Sequence, residues 1–178
     1  MNIPITEPEK INFRELMDYY GFQGKLGSIK LKNKILKNMI LQSLAEHSPT
    51  PNLTITFQRW KGVNIGNHVY IGPKTFIDIL YPHLINIEDY VSLGYSMIFA
   101  HSNPTCSYLI KAKVYPRYVK PVYIKRGAWL GAGCIVLPGV TIGENSIVGA
   151  GSIVNKDIPS NTLAAGSPAK PIKKLNLD

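Results

Sequence analysis

Residues 124–159 can be cut into six consecutive blocks of six: IKRGAW, LGAGCI, VLPGVT, IGENSI, VGAGSI and VNKDIP. An aliphatic residue opens every block, at Ile124, Leu130, Val136, Ile142, Val148 and Val154; the fifth place holds Ala128, Cys134, Val140, Ser146, Ser152 and Ile158. A helix repeats its apolar face about every 3.6 residues and a strand every 2. A strict period of six fits neither and describes a solenoid of very short strands, each block forming one flat side of a coil. The opening aliphatic then points inward and stacks on its equivalent in the next coil, while glycine at the second or third place lets the backbone turn tightly.

Upstream the same period appears at Ile65, Ile71 and Ile77, then breaks. The step from Ile77 to Ile87 is ten residues, so LYPH at 80–83 must bulge out as an insertion. Ile87, Leu93 and Phe99 resume the sixes, and the period is lost again until Ile124. A long segment opening with His101 therefore leaves the prism, with 102–120 extruded; long excursions of this kind are commonly functional.

The first fifty residues stand outside the repeat. Residues 12–20 suit a short helix, broken by Gly21, Gly24 and Gly27. Ser28 suits the N-cap of a second helix over 29–46, with Leu31, Ile35, Leu36, Met39, Ile40 and Leu44 spaced by threes and fours. Lys30, Lys32, Lys34 and Lys37 crowd its first half. A basic amphipathic helix can rest on an anionic membrane surface, but the commoner use is to cover the open end of a solenoid, and that reading is favoured. The expected division is a helical cap over 1–52, a prism over 53–172 and a tail over 173–178.

A chain of 178 residues, 45% hydrophobic and 17% charged, is that of one soluble globular domain. Its formal net charge of +9 favours anionic ligands without requiring them. The two cysteines fall at an inward block position (Cys134) and in the loop (Cys106), which argues against a disulfide framework and for a reducing compartment. The opening MNIPITEPEK has no secretory pattern and no run approaches 18 apolar residues, so a cytoplasmic location is expected. Scattered lysines without a recognition motif give no reason to expect a nucleic-acid partner.

Residues 121–172, PVYIKRGAWLGAGCIVLPGVTIGENSIVGAGSIVNKDIPSNTLAAGSPAKPI, carry a motif series. PV-x-I, PGVTIG, GAGS-V and KDIP are followed by a closing GSPAK. This series resembles the C-terminal half of the hexapeptide-repeat acetyltransferases, closest to the galactoside, maltose and xenobiotic acetyltransferases. The resemblance implies an all-β, left-handed parallel β-helix with three blocks per coil, here with the N-terminal helical segment and the loop after His101. The hand comes from the resemblance alone, since parallel crossovers are nearly always right-handed.

The resemblance further implies a homotrimer with acetyl-CoA lying outside the prism where two subunits join. Gly131-Ala132-Gly133 and Gly149-Ala150-Gly151 stand eighteen residues apart and would stack one coil above the other. By transfer from the family, the Ala132 and Ala150 N–H groups meet the pantetheine arm, Trp129, Asn155 and Lys156 border the groove, and Lys170 and Lys173 meet the nucleotide phosphates. Read from the residues alone, the triplets serve equally as tight corners and the lysines as solvated charges.

His101 matches the family's catalytic histidine. A neutral imidazole can take the proton of an attacking hydroxyl, which is a poor nucleophile without a base. Asp78 matches an aspartate that helps hold the acceptor, although a polar residue at a coil turn reads as well; Tyr95, Tyr115, Arg117 and Tyr118 are candidates to shape the acceptor pocket. The family asparagine about seven residues before that aspartate is missing, with Ile71 and Gly72 in its neighbourhood. The expected reaction is direct acetyl transfer to a hydroxyl of a sugar or polysaccharide precursor. N-acetylation of an amino sugar and transfer to a xenobiotic are the alternatives. A carbonic-anhydrase-like zinc site is disfavoured because no histidine follows His101, and no metal is expected. A noncatalytic trimeric scaffold would not need His101 together with the coenzyme pattern.

Overall fold

The computed structural model describes residues 6–103 and 117–176. With strands numbered in chain order, three parallel sheets form three faces. Face A holds β1 (Asn64–Ile65), β4 (Ile85–Ile87), β9 (Val122–Ile124) and β12 (Thr141–Ile142). Face B holds β2 (Tyr70–Ile71), β5 (Ser92–Leu93), β10 (Trp129–Leu130), β13 (Ile147–Val148) and β15 (Thr162–Gly166), and is closed by antiparallel β16 (Ala169–Lys174). Face C holds β3 (Phe76–Ile77), β6 (Met97–Ile98), β11 (Ile135–Val136) and β14 (Ile153–Val154). The chain passes A, B, C, A in repeated turns, so each corner of one coil stacks on the same corner of the next.

Register follows the aliphatic column. Leu93, Leu130 and Val148 are paired neighbours on face B, Ile98, Val136 and Val154 on face C, all fully buried. The fifth-place residues Ala128, Cys134, Val140, Ser146, Ser152 and Ile158 are buried too, at the inner side of the corners. One expectation is corrected. Ile98, not Phe99, is the inward residue of β6, pairing in register with Ile77 and Val136. The step from Leu93 to Ile98 is five because this corner is one residue short; burying an aliphatic on the column outweighs keeping the count. Phe99 instead meets Phe76, with ring centroids 5.5 Å apart.

The helical region is larger than expected. It comprises α1 (Thr6–Tyr19), α2 (Gly24–Glu46) and α3 (Pro51–Lys61), so residues 53–61, expected at the start of the prism, are helical. Thr50 caps α3 by accepting from Leu53 N at 3.4 Å, and Gly62 ends it in the left-handed region. Ser28 is not an N-cap: α2 starts four residues earlier, after Gln23.

The cap covers the first coil, α3 lying against β1 and β2 and α2 against β3, the edge strand of face C. An edge strand carries unpaired carbonyls that must find donors when covered. Three side chains supply them at alternate residues. Gln42 Nε2 donates to Thr75 O (2.9 Å), Lys61 Nζ to Ile77 O (2.7 Å) and Asn38 Nδ2 to Ile79 O (2.8 Å). Lys61 also donates to Gln42 Oε1, and Gln58 Nε2 joins the same oxygen at 3.2 Å. Burial pushes the Lys61 ammonium down to about 7 against the opposing pull of Asp78 and Glu46. On the apolar side α2 contributes Leu31, Leu41 and Ala45, whereas Leu36, Met39, Ile40 and Leu44, expected to face the prism, are exposed.

Candidate active site

His101 stands at the corner where face C gives way to face A. This corner also carries both insertions into the period. Between β3 and β4 it holds the Asp78-to-Leu84 insertion, ending in a 3-10 turn at Pro82–Leu84; between β6 and β9 it holds the excursion. The excursion starts as a two-stranded antiparallel ribbon, β7 (His101–Ser102) against β8 (Tyr118–Val119), with Lys120 N donating to Ala100 O at 3.0 Å. Stacking one break directly over the other brings residues 23 apart in sequence into contact: His101 Nδ1 lies 2.6 Å from Asp78 Oδ2.

The carboxylate is wholly enclosed. Asp78 is 0% exposed, and it also accepts from Leu80 N (2.8 Å), Tyr81 N (3.0 Å) and Ala100 N (2.9 Å). Burial alone would push this carboxyl up, yet the bonds from His101, Tyr81 and Ala100 outweigh it and hold the group below the ordinary carboxylate range. An ionised Asp78 requires the proton on Nδ1 of a neutral imidazole, which leaves the Nε2 lone pair available. The His101 side chain is 19% exposed, so the ring is reachable while its other nitrogen is anchored. Asp78, expected to help hold the acceptor, is engaged within the protein. Its oxygens are engaged by His101 and three backbone donors, and its side chain is fully buried.

Tyr81, the second residue of LYPH, was not picked out from the sequence. Its fully buried ring lies 5.2 Å from that of His101, and its hydroxyl accepts from Arg117 Nη1 at 2.9 Å. Arg117 also donates to Glu15 Oε2 (3.1 Å) and to Asn12 O (3.1 Å), while Asn103 Nδ2 donates to Asn12 Oδ1 (2.6 Å). Helix α1 is thereby tied to both ends of the excursion. The available signal was an aromatic inserted three residues after a strand-ending aspartate. Of the other acceptor candidates, Tyr118 is exposed on β8, and Tyr115 lies outside the described residues, as does Cys106.

The glycine-alanine triplets occupy the opposite edge of face C, the corner between faces B and C. Ala132 and Ala150 are exposed, and neither N–H has a hydrogen-bond acceptor among the described residues. The corner is close-packed main chain: a Cβ on Gly131 would stand 2.7 Å from Ala150 N, and one on Gly94 2.8 Å from Ala132 N. Gly133 and Gly151, at φ 75 and 71, take the left-handed turn that completes it. The column continues to Ala165, which pairs with Lys170 on β16. Lys173 pairs with Leu163, further along face B, and half-exposed Trp129 projects from that same face.

Asn155 and Lys156 follow β14 and therefore sit on the His101 edge, while Tyr95, expected beside the acceptor, sits on the triplet edge, its carbonyl accepting from Gly133 N. Within one chain the candidates thus divide between two edges. Ala132, Ala150, Lys170 and Tyr95 gather on one, His101, Asp78, Asn155 and Lys156 on the other. The four or so residues of extended chain between them span roughly 13 Å. Cys134 is fully buried behind the triplet corner, where burial pushes its thiol up, so it presents no nucleophile.

Stacked sixes on three parallel faces, with an anchored imidazole at one edge, define a hexapeptide-repeat prism. Residues 121–156 match the family model described as bacterial transferase hexapeptide (six repeats). The chain is 38% identical over 125 residues to the galactoside O-acetyltransferase of Lactococcus lactis, covering 70% of this chain and 49% of that protein. Among solved structures it resembles a galactoside acetyltransferase in complex with coenzyme A (TM-score 0.60, 28% identity, 82% of each chain). It also resembles the maltose O-acetyltransferase from Clostridium difficile 630 (TM-score 0.58, 27% identity, 86% of this chain and 90% of that one). The resemblance read from residues 121–172 is borne out: this is a hexapeptide-repeat protein similar to the galactoside and maltose acetyltransferases. A coil of the opposite hand would not superpose on them, which supports the left-handed winding. The chain spans about half the length of the curated relatives it matches.

Proposed function

We propose that the protein is an acetyl-CoA-dependent O-acetyltransferase that acetylates a hydroxyl of a sugar or polysaccharide precursor by direct transfer. The observation that carries this reading is the 2.6 Å contact between His101 Nδ1 and the enclosed carboxylate of Asp78. With Nδ1 held, Nε2 removes the acceptor's hydroxyl proton as its oxygen attacks the thioester carbon. A tetrahedral adduct forms, the carbon–sulfur bond breaks, and the proton passes from the imidazolium to the departing coenzyme thiolate. Main-chain N–H groups without acceptors, at Ala132 and Ala150, are suited to the pantetheine arm and to the developing oxyanion. Lys170, at the end of the same column, is placed for the coenzyme's phosphates, with Lys173 further along β16. Acetyl-CoA as co-substrate agrees with the coenzyme A bound by the similar galactoside acetyltransferase.

The division of these groups between two edges of face C supports a homotrimer in which each site is shared. The edge carrying His101, Asn155 and Lys156 would face the triplet edge of the next subunit, with Trp129 and Tyr95 on the coenzyme side. The outward residues of face C suit such a role, since Phe76, Met97, Ile135 and Ile153 form a row of partly exposed apolar side chains. Release of free coenzyme thiol, measured against a panel of sugars, nucleotide sugars, amino sugars and antibiotics, tests the function. Turnover with a hydroxyl acceptor supports it. Turnover confined to amino acceptors, or none despite coenzyme binding, contradicts it.

A further inference from the structure

Helix α2 presents two different faces. One turns Leu31, Asn38, Leu41, Gln42 and Ala45 inward, toward the prism and α3. The other carries Leu26, Ile29, Leu36, Ile40 and Leu44, which are 74, 54, 56, 52 and 45% exposed. With Asn33 between them, these residues follow one another by threes and fours. At about 100° per residue they make one stripe along roughly 27 Å of helix. A shallow groove of about 330 Å³ lined by Asn33, Leu36, Lys37, Ile40 and Leu41 runs along one side of it. Exposed lysines border the stripe on both sides, Lys25 and Lys32 along one margin and Lys30 and Lys37 along the other, and α2 has no acidic residue before Glu46. Helix α3 adds Leu53 and Trp60 to the exposed apolar residues of the cap.

Five large aliphatics held in water at the centre of a cationic frame are costly unless something covers them. A second copy presenting the same face would set lysine against lysine, which disfavours self-pairing there. An anionic bilayer answers both parts, taking the aliphatics below its headgroups and pairing the lysines with lipid phosphates. We propose that the outer face of α2 is a docking surface for anionic membranes. The helix cannot span one, since no helix among the described residues is long and apolar enough. Its inner face bonds to Thr75 O and Ile79 O, on either side of Asp78 in the chain. The proposal rests on the stripe and its frame, independently of the catalytic reading.

The test is flotation of the full chain with vesicles of phosphatidylcholine alone and of phosphatidylcholine with phosphatidylglycerol, at low and high salt. Binding is expected only to the anionic vesicles and is expected to fall with salt. Each lysine near such a surface is worth about fivefold in affinity, so the double change Lys30→Glu, Lys37→Glu should weaken binding by roughly twenty-five-fold or more. The double change Leu36→Ser, Ile40→Ser keeps every charge and alters only exposed positions, and it should also abolish flotation with an unchanged circular dichroism spectrum. No binding to anionic vesicles overturns the proposal. So does equal binding by the Leu36→Ser, Ile40→Ser variant, which would mean diffuse attraction to a basic protein. A fall in oligomeric state caused by that variant in the absence of lipid would assign the stripe to a second copy and overturn it as well.

Discussion

The two edges of face C are built from the same repeat and treat it in opposite ways. At the edge toward face B the six-residue count is kept almost strictly, and the result is bare backbone, with Gly94, Gly131 and Gly149 packed so closely that a side chain would strike the coil beneath. At the edge toward face A the count is broken twice, and the breaks bring in Asp78, Tyr81, His101 and Arg117. Regularity at one edge yields an extended strip of main-chain donors suited to a long, slender ligand. Insertion at the other yields a clustered, hydrogen-bonded set of side chains suited to moving a proton. A solenoid thus keeps its column intact while acquiring chemistry, because insertions leave from corners and the inward aliphatics on either side stay stacked.

The sharpest way to break this contrast is at His101. His101→Ala is expected to lower turnover by about 10²- to 10⁴-fold, the usual worth of a general base, while acetyl-CoA affinity measured by calorimetry stays nearly intact, because the main-chain donors proposed to hold the coenzyme are on the triplet edge. Replacing Ala150 with Trp should give the converse: coenzyme affinity falls by at least about tenfold, the loss of one or two main-chain contacts, with the chain still folded because Ala150 is exposed within its own chain.

Asp78→Asn should reduce turnover by about 10- to 100-fold, through the orientation and tautomer of the imidazole. The carboxyl has a second readout in stability. Because its folded value is depressed, its contribution is complete above the ordinary value of about 3.9 and is lost as pH falls through the lower folded value. The wild type should therefore lose stability over that acid window and the Asn variant should show less of that loss, as chemical denaturation against pH will tell.

A smaller effect concerns the cap. Lys61, held down to about 7 by burial, releases its proton in the folded state well before it does in the unfolded chain. The unfolded chain then binds more protons above that value, so stability should rise with pH from about 7 toward the unfolded lysine value near 10.4. Lys61→Met should flatten this rise and cost stability at Ile77 O, with turnover close to that of the wild type. An unchanged slope in that variant would remove Lys61 from this role.

What the sequence made legible follows the same contrast. The prism could be read because one inward aliphatic per side must recur, and Leu130, Val136, Ile142, Val148 and Val154 are all fully buried where the sixes place them. His101 was recognisable by where the count fails together with the family resemblance. Its dependence on Asp78 was not, since 23 residues separate them and only the stacking of two interrupted corners joins them. Helix α3 escaped because PNLTITFQRWK is rich in strand-forming residues; burial of Thr54, Gln58 and Lys61 against α2 and the prism overrides that preference. Phe99 was misplaced because counting by six does not reveal a corner one residue short. The outer face of α2 was misjudged for a related reason: apolar spacing identifies a stripe without saying which stripe turns inward.

The central claim is that the imidazole of one chain works on coenzyme held by the triplet edge of the next. Mixing the His101→Ala and Ala150→Trp proteins, after dissociation and reassembly in equal amounts, tests it most directly. Assayed with acetyl-CoA well below saturation, each alone should keep at most about a tenth of wild-type activity, and the mixture should recover roughly a quarter, the fraction of junctions in a closed ring that pair an intact imidazole with an intact column. A mixture as inactive as its parents, with exchange of subunits verified by mass spectrometry, would contradict the shared site.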